Sequence, residues 1–227
     1  MNDCHEFRED SPGELPVKGF LHGTICPGND CLILTHGAGS NCNSPLLVAL
    51  ADAFAASGLA VLRCDLVFRQ LRPQGPPPRG SAERDQLGLR AAVASVRRRT
   101  SGRVFLGGHS YGGRQASMLA ADEPGMPGQL FDRLLLLSYP LHPPQRPAES
   151  RTAHFPCLQV PALFVHGTRD GFGSIEELTA ALKLIPAPTE LLPVAGAGHE
   201  LLSKRNRDVE TNRIVEAFRS FAYGGAV

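Results

Sequence analysis

The stretch VFLGGHSYGGRQASMLAA, residues 104–121, decides how this chain is read. A short apolar run leads into Gly107 and Gly108, a serine stands at 110, and Gly112 and Gly113 follow. Glycine-rich turns after a strand do two jobs in α/β proteins. One wraps phosphate in backbone amides; the other lifts a nucleophile above a tight strand-to-helix turn. The phosphate reading fails at the residues that would touch the ligand. Gly108 and Gly113 have P-loop spacing, but Arg114 and Gln115 stand where Lys and Ser/Thr are required. Counted from Gly107, the third position of a dinucleotide fingerprint is His109 and not glycine. Gly108-His109-Ser110-Tyr111-Gly112 satisfies G-x-S-x-G, after an apolar strand and before a helical segment. Ser110 is therefore the candidate nucleophile.

A serine nucleophile needs a base, and the base needs an orienting acid. When the nucleophile sits on such a turn, the chain order is Ser, then Asp or Glu, then His. Asp170 ends the apolar run ALFVHGTRD, and His199 lies in the glycine-flanked AGAGHELL after the last expected strand. Ser110, Asp170 and His199 form the candidate triad. The oxyanion of an acyl-transfer intermediate needs two amide donors. Tyr111, at a helix N-terminus, supplies one. Ala38, in the small-residue run THGAGS, is the second, with its neighbour Gly39 beside it.

Other polar residues have plainer roles. His36 and His166 each stand in an HG pair at a strand end and read as turn residues. His109 is structural or site-lining. Tyr139 and His142, in SYPLHPP, are candidate pocket-lining residues, and Arg169 reads as a loop ion-pair partner. Residues 63–103 hold ten arginines against three acids, which suits either an anionic substrate or a solvated loop and helix face. No HExxH or carboxylate cluster with ligand spacing occurs, so neither a metal nor a cofactor is expected.

Outward from the turn, strand and helix signals alternate. Apolar runs at 31–39, 59–66, 104–110, 133–140, 161–170 and 189–196 suit strands buried on both faces of a parallel sheet. Residues 15–26 are a candidate antiparallel edge hairpin, and residues 1–14 read as a poorly ordered tail. Helical periodicity covers 45–57, capped by Asn43 or Ser44, and 81–99, 111–122, 174–185 and 203–221. The expectation is a single α/β domain over 1–227, a doubly wound, mostly parallel sheet of about 7–8 strands. Ligands in such sheets bind beyond the carboxyl ends of the strands, where the triad candidates cluster.

Bulk properties narrow the rest. At 227 residues and 42% hydrophobic content the chain can bury one sizeable core. A net charge of +1 favours no nucleic-acid partner. No secretory leader pattern and no apolar run of about 18 residues occur, so the expectation is a soluble, cytoplasmic protein without membrane association. The six cysteines form no CxxC pair and read as free thiols. Oligomeric state is not legible.

With these residues in place, the sequence over about 15–222 resembles the α/β-hydrolases. The nearer resemblance is to the small dienelactone-hydrolase-like members, among them the domain of the testis-expressed-30 proteins and of the third subunit of the non-specific-lethal complex. The stretches LTHGAGSNCNSP, GGHSYGGRQASMLAA, SYPLHPP and FVHGTRDGFGS carry it. The resemblance implies an α/β-hydrolase fold with Ser110, Asp170 and His199 as the triad. Members often have Lys where His109 stands and Met where Tyr111 stands; a backbone donor survives either change. A dienelactone hydrolase proper uses Cys, so Ser110 departs from that pattern.

The expected activity is hydrolysis of a small carboxylester or thioester through an acyl-enzyme. The alternative is a non-catalytic binding or scaffold module on the same fold. Only 20 residues, 141–160, separate SYP from the next strand, too few for a lid domain. An open pocket for a small-molecule acyl substrate follows.

Overall fold

The computed structural model describes residues 4–122 and 130–224. It contains an eight-stranded sheet: β1 (Cys4–Glu9), β2 (Val17–His22), β3 (Cys31–Thr35), β4 (Ala60–Cys64), β5 (Val104–His109), β6 (Arg133–Leu137), β7 (Ala162–Gly167) and β8 (Thr189–Val194). The order is β1-β2-β4-β3-β5-β6-β7-β8. β2 runs antiparallel to β1 and β4, and the pairs from β4 to β8 are parallel. Among the described residues, six helices flank the sheet: α1 (Pro45–Ala56), α2 (Val67–Leu71), α3 (Ala82–Arg97), α4 (Tyr111–Ala121), α5 (Ile175–Leu182) and α6 (Arg207–Tyr223).

The continuous apolar runs make sense once each strand is split by the pleat. Cys31 and Ile33 of β3 face the core shared with α3, α4 and α5, while Leu32 and Leu34 face the core shared with α1 and α6. Val104 and Leu106 divide from Phe105 in the same way, and Leu134 and Leu136 from Leu135 and Leu137. A strand with a core on each side has few polar positions, so the two-residue alternation largely vanishes from its sequence. On the α1/α6 side, Phe218 packs edge-on against Phe54 (5.6 Å) and Phe105 (5.3 Å). Aromatic side chains buried this way cost about 3–5 kcal/mol to truncate.

Two expectations change. Residues 4–9 are not tail but an edge strand, and β2 finds its partner there and not within 15–26. β1 is held by more than its ladder. Glu9 accepts hydrogen bonds from Ser95 and Arg98 (both 2.5 Å) and pairs with Arg99 at 2.6 Å, while Arg98 also reaches Glu14. These bonds fasten the strand to the end of α3. The Arg/Pro-rich loop after β4 also contains a short helix, α2, whose Phe68 amide donates to buried Asp85 at 2.9 Å. Ser44 is the cap of α1, accepting from the Leu47 amide at 3.3 Å.

Between β6 and β7 the chain forms loops and one short 3-10 turn at Phe155–Cys157, with no lid domain. No helix among the described residues is long and apolar enough to cross a membrane.

Candidate active site

The carboxyl ends of β5, β7 and β8 bring Ser110, Asp170 and His199 together. Ser110 follows β5 directly and has φ 52° and ψ −116°, a conformation that L-residues seldom adopt. Its neighbours explain how the turn closes. A Cβ on Gly108 would stand 2.7 Å from the Gly112 carbonyl carbon and the Gly113 amide. One on Gly112 would stand 2.5 Å from the His36 carbonyl oxygen. The two glycines of G-x-S-x-G are thus where β5, α4 and the β3 loop touch backbone to backbone.

His199 Nε2 lies 2.8 Å from Ser110 Oγ, and His199 Nδ1 lies 2.8 Å from Asp170 Oδ2. The Asp170 side chain is fully buried, and its other oxygen accepts from the Phe172 amide at 2.9 Å. Burial alone would raise this carboxyl; the bonds from His199 and Phe172 outweigh burial and hold it below the usual carboxylate range. An ionised acid at Nδ1 requires the proton on Nδ1. Nε2 therefore presents its lone pair to the serine hydroxyl, the arrangement that activates a serine nucleophile.

The loops carrying Asp170 and His199 are joined directly. The Arg169 amide donates to the Ala197 carbonyl at 2.8 Å, and the Gly196 amide to Thr168 Oγ1 at 2.9 Å. From the other side, His109 Nε2 donates to the His199 carbonyl at 2.8 Å. Burial keeps His109 neutral by lowering its pKa. So His109 lines the candidate site and also holds His199 in place.

Ala38 and Tyr111 border Ser110, and no described residue accepts a hydrogen bond from either amide. Arg69 fixes the loop that carries Ala38. Its guanidinium donates to the carbonyls of Ala38 (3.0 Å), Ser40 (2.7 Å), Arg72 (3.0 Å) and Gly75 (2.9 Å). The Tyr111 hydroxyl donates to Asp85 at 2.8 Å, tying the first residue of α4 to α3.

Two cavities meet at Ser110. One, of about 600 Å³, is lined by Tyr111, Arg114, Pro140, Arg151 and the Pro76–Ala82 loop. The other, of about 420 Å³, is lined by Gly37, Gly39, His109, His199 and Glu200. Phe172 borders both. Two candidate lining residues lie elsewhere. Tyr139 is fully buried, and its hydroxyl donates to the Arg151 carbonyl at 2.8 Å. His142 sits between the Pro143 carbonyl and Glu177. Arg169 is exposed and makes no ion pair among the described residues. His36 and His166 are buried turn residues, each within 2.8 Å of a backbone carbonyl. Phe172, Arg114 and Arg151 escaped the sequence because no motif marks a side chain that matters only through the cavity it borders.

The family described as "Alpha/beta hydrolase domain" matches residues 28–222. The chain belongs to that α/β-hydrolase family. Its fold is also that of three solved structures of low sequence identity. The dienelactone hydrolase from Anabaena variabilis is 20% identical with a TM-score of 0.71, over 96% of this chain and 99% of that one. An alpha-beta serine hydrolase homologue from Coxiella burnetii is 22% identical with a TM-score of 0.70, over 96% and 98%. A lidless α/β serine hydrolase from Xanthomonas campestris is 16% identical with a TM-score of 0.71, over 97% and 95%. This α/β-hydrolase shares its overall fold with them.

Proposed function

We propose that this α/β-hydrolase is a serine hydrolase that cleaves a small carboxylester or thioester. The reading rests on one observation: the unbroken chain Asp170–His199–Ser110, with both contacts at 2.8 Å, beside two amides left without acceptors. Ser110 Oγ attacks the acyl carbon while its proton passes to His199 Nε2. The acyl carbon–leaving-group bond breaks, and His199 protonates the departing oxygen or sulfur. Water then attacks the acyl-enzyme, giving its proton to His199, and the acid leaves as Ser110 regains a proton. Asp170 holds the tautomer and stabilises the imidazolium. The Ala38 and Tyr111 amides face the developing oxyanion; one such donor is typically worth about 3 kcal/mol.

The short β6–β7 connection leaves the site without a cover, which suits small or extended acyl substrates. The kinship with the testis-expressed-30 type of domain belongs to the same proposal. So does a reducing, cytoplasmic setting, supported by six unpaired cysteines, three of them buried.

A fluorophosphonate probe together with p-nitrophenyl butyrate tests the reading. Wild-type protein labels and hydrolyses the ester, and Ser110→Ala does neither. A folded wild type that does neither would transfer support to the non-catalytic module; labelling of Ser110→Ala would remove Ser110 as nucleophile.

A further inference from the structure

The two cavities at Ser110 differ in charge and in what they border. The smaller holds His199, and the larger does not. In an acyl transfer the leaving group must depart within reach of the base that protonates it. The smaller cavity, with His199 and Glu200, therefore lies on the leaving-group side, and the larger receives the acyl chain.

Among the described residues, the larger cavity is lined by Arg79, Arg114 and Arg151 and by no carboxylate. Arg114 lies one helical turn beyond Ser110, on the face of α4 that meets the site. Its Nε is buried without a hydrogen-bond partner among the described residues, and its guanidinium lies near the Tyr139 hydroxyl oxygen. Arg151 is fixed by its backbone: its amide donates to the Leu141 carbonyl, and its carbonyl accepts from Tyr139, each at 2.8 Å. Burial, and then the charge of Arg114, lower the pKa of Arg151. Glu149 is close enough to act on Arg151 but makes its ion pair with Arg146. His154, beside Arg114, is lowered to about 4 by burial and that charge, so it adds no positive charge at neutral pH.

Several other guanidiniums are neutralised or used as struts. Arg97 pairs with Asp132, Arg98 and Arg99 pair with Glu9, and Arg63 and Arg69 serve as struts to backbone carbonyls. Two half-buried guanidiniums that repel each other, with no acid between them, form a site awaiting an anion.

Building on the serine hydrolase reading, we propose that the acyl part of the substrate ends in a carboxylate, which Arg114 and Arg151 bind while its carbonyl lies at Ser110. The substrate class is a monoester or monothioester of a short dicarboxylic acid.

The test compares p-nitrophenyl hemiglutarate with its methyl-capped diester, which has the same chain without the charge; uncatalysed rates are subtracted. The ratio of the two kcat/KM values is the readout, because it cancels any general loss of active protein. The wild type favours the hemiester by about 10-fold or more at low salt. Arg114→Gln and Arg151→Gln each pull the ratio toward one. A wild-type ratio at or below one, or a ratio unchanged in both variants, overturns the proposal while leaving the hydrolase reading intact.

A second measurement needs no turnover. Calorimetry of Ser110→Ala with monomethyl glutarate shows binding that the Arg114→Gln, Arg151→Gln pair abolishes. Binding that survives in that double variant refutes the site. If the anion binds but the wild type neither labels nor hydrolyses, the anion pocket stands and the hydrolase reading falls.

Discussion

The Phe172 ring lies 4.2 Å from the His199 ring, tilted by 32°, and the same residue donates its backbone amide to Asp170. One residue thus steadies Asp170 through its backbone and His199 through its side chain. Phe172→Ala keeps the amide and removes the ring. The expected result is a fall in kcat of roughly 10-fold with folding intact, since misplaced groups lose part of their proximity advantage. Stopped-flow acylation with p-nitrophenyl butyrate reads this directly. An unchanged acylation rate would show that Asp170 and His109 suffice to hold the imidazole.

Asp170→Asn leaves an amide where the carboxylate was and favours the wrong His199 tautomer. In a triad of this geometry the expected loss in kcat is roughly 10³–10⁴-fold. Circular dichroism should remain that of the native protein. A loss below about 10-fold would mean that His199 is oriented by its other contacts.

Arg69 bonds four carbonyls, two in the Ala38 loop (Ala38, Ser40) and two just beyond its own helix (Arg72, Gly75). Arg69→Met retains the aliphatic stem and removes every donor. It should lower kcat more than it raises KM, because the amide positioned by this loop is engaged most strongly in the transition state. Arg69→Lys should recover only part of the activity, since one ammonium cannot span all four carbonyls. Full recovery by Lys would reduce the role of Arg69 to charge or bulk.

Glu9 predicts the acid behaviour of the amino-terminal strand. Although burial pushes its carboxyl upward, hydrogen bonds from Ser95, Arg98 and Ser11 and the charge of Arg99 bring it down to about 2. A depressed carboxylate pKa contributes stability above the unfolded value, near 4.5, and loses it as pH falls toward 2. Glu9→Gln should cost about 1–2 kcal/mol at pH 7 and flatten the stability curve below pH 4.5. Urea titrations at pH 7 and pH 3.5 would show it; equal losses at both would break the link to ionisation.

Legibility in the sequence followed burial. The parallel strands announced themselves because a core on each face leaves mostly apolar residues, as in the CLIL of β3 and the LLLL of β6. β1 did not, because CHEFRE buries only Phe7 and is secured by Glu9 reaching arginines some ninety residues away. Ser110, Asp170 and His199 were legible as candidates because each needs special backbone, and glycine marks it. Tyr139 and His142 looked like lining residues because they follow a strand end. Yet the β6–β7 loop folds back, directing the Tyr139 hydroxyl to a backbone carbonyl and placing Arg151 at the cavity. Most of the arginine-rich stretch proved structural, and two of the three cavity arginines lie outside it.

The backbone of Ser110, at φ 52°, sets the protein's own thermal tolerance against its chemistry. Such conformations cost about 1–3 kcal/mol for any residue with a Cβ and little for glycine. Ser110→Gly should therefore be chemically dead yet melt a few degrees higher, less whatever the lost bond to His199 contributed. Differential scanning calorimetry decides it, with Ser110→Ala as the comparison that loses the hydroxyl and keeps the strain. If glycine melts no higher than alanine, the turn is relaxed. If it melts higher, selection has kept a less durable protein for the sake of one hydroxyl.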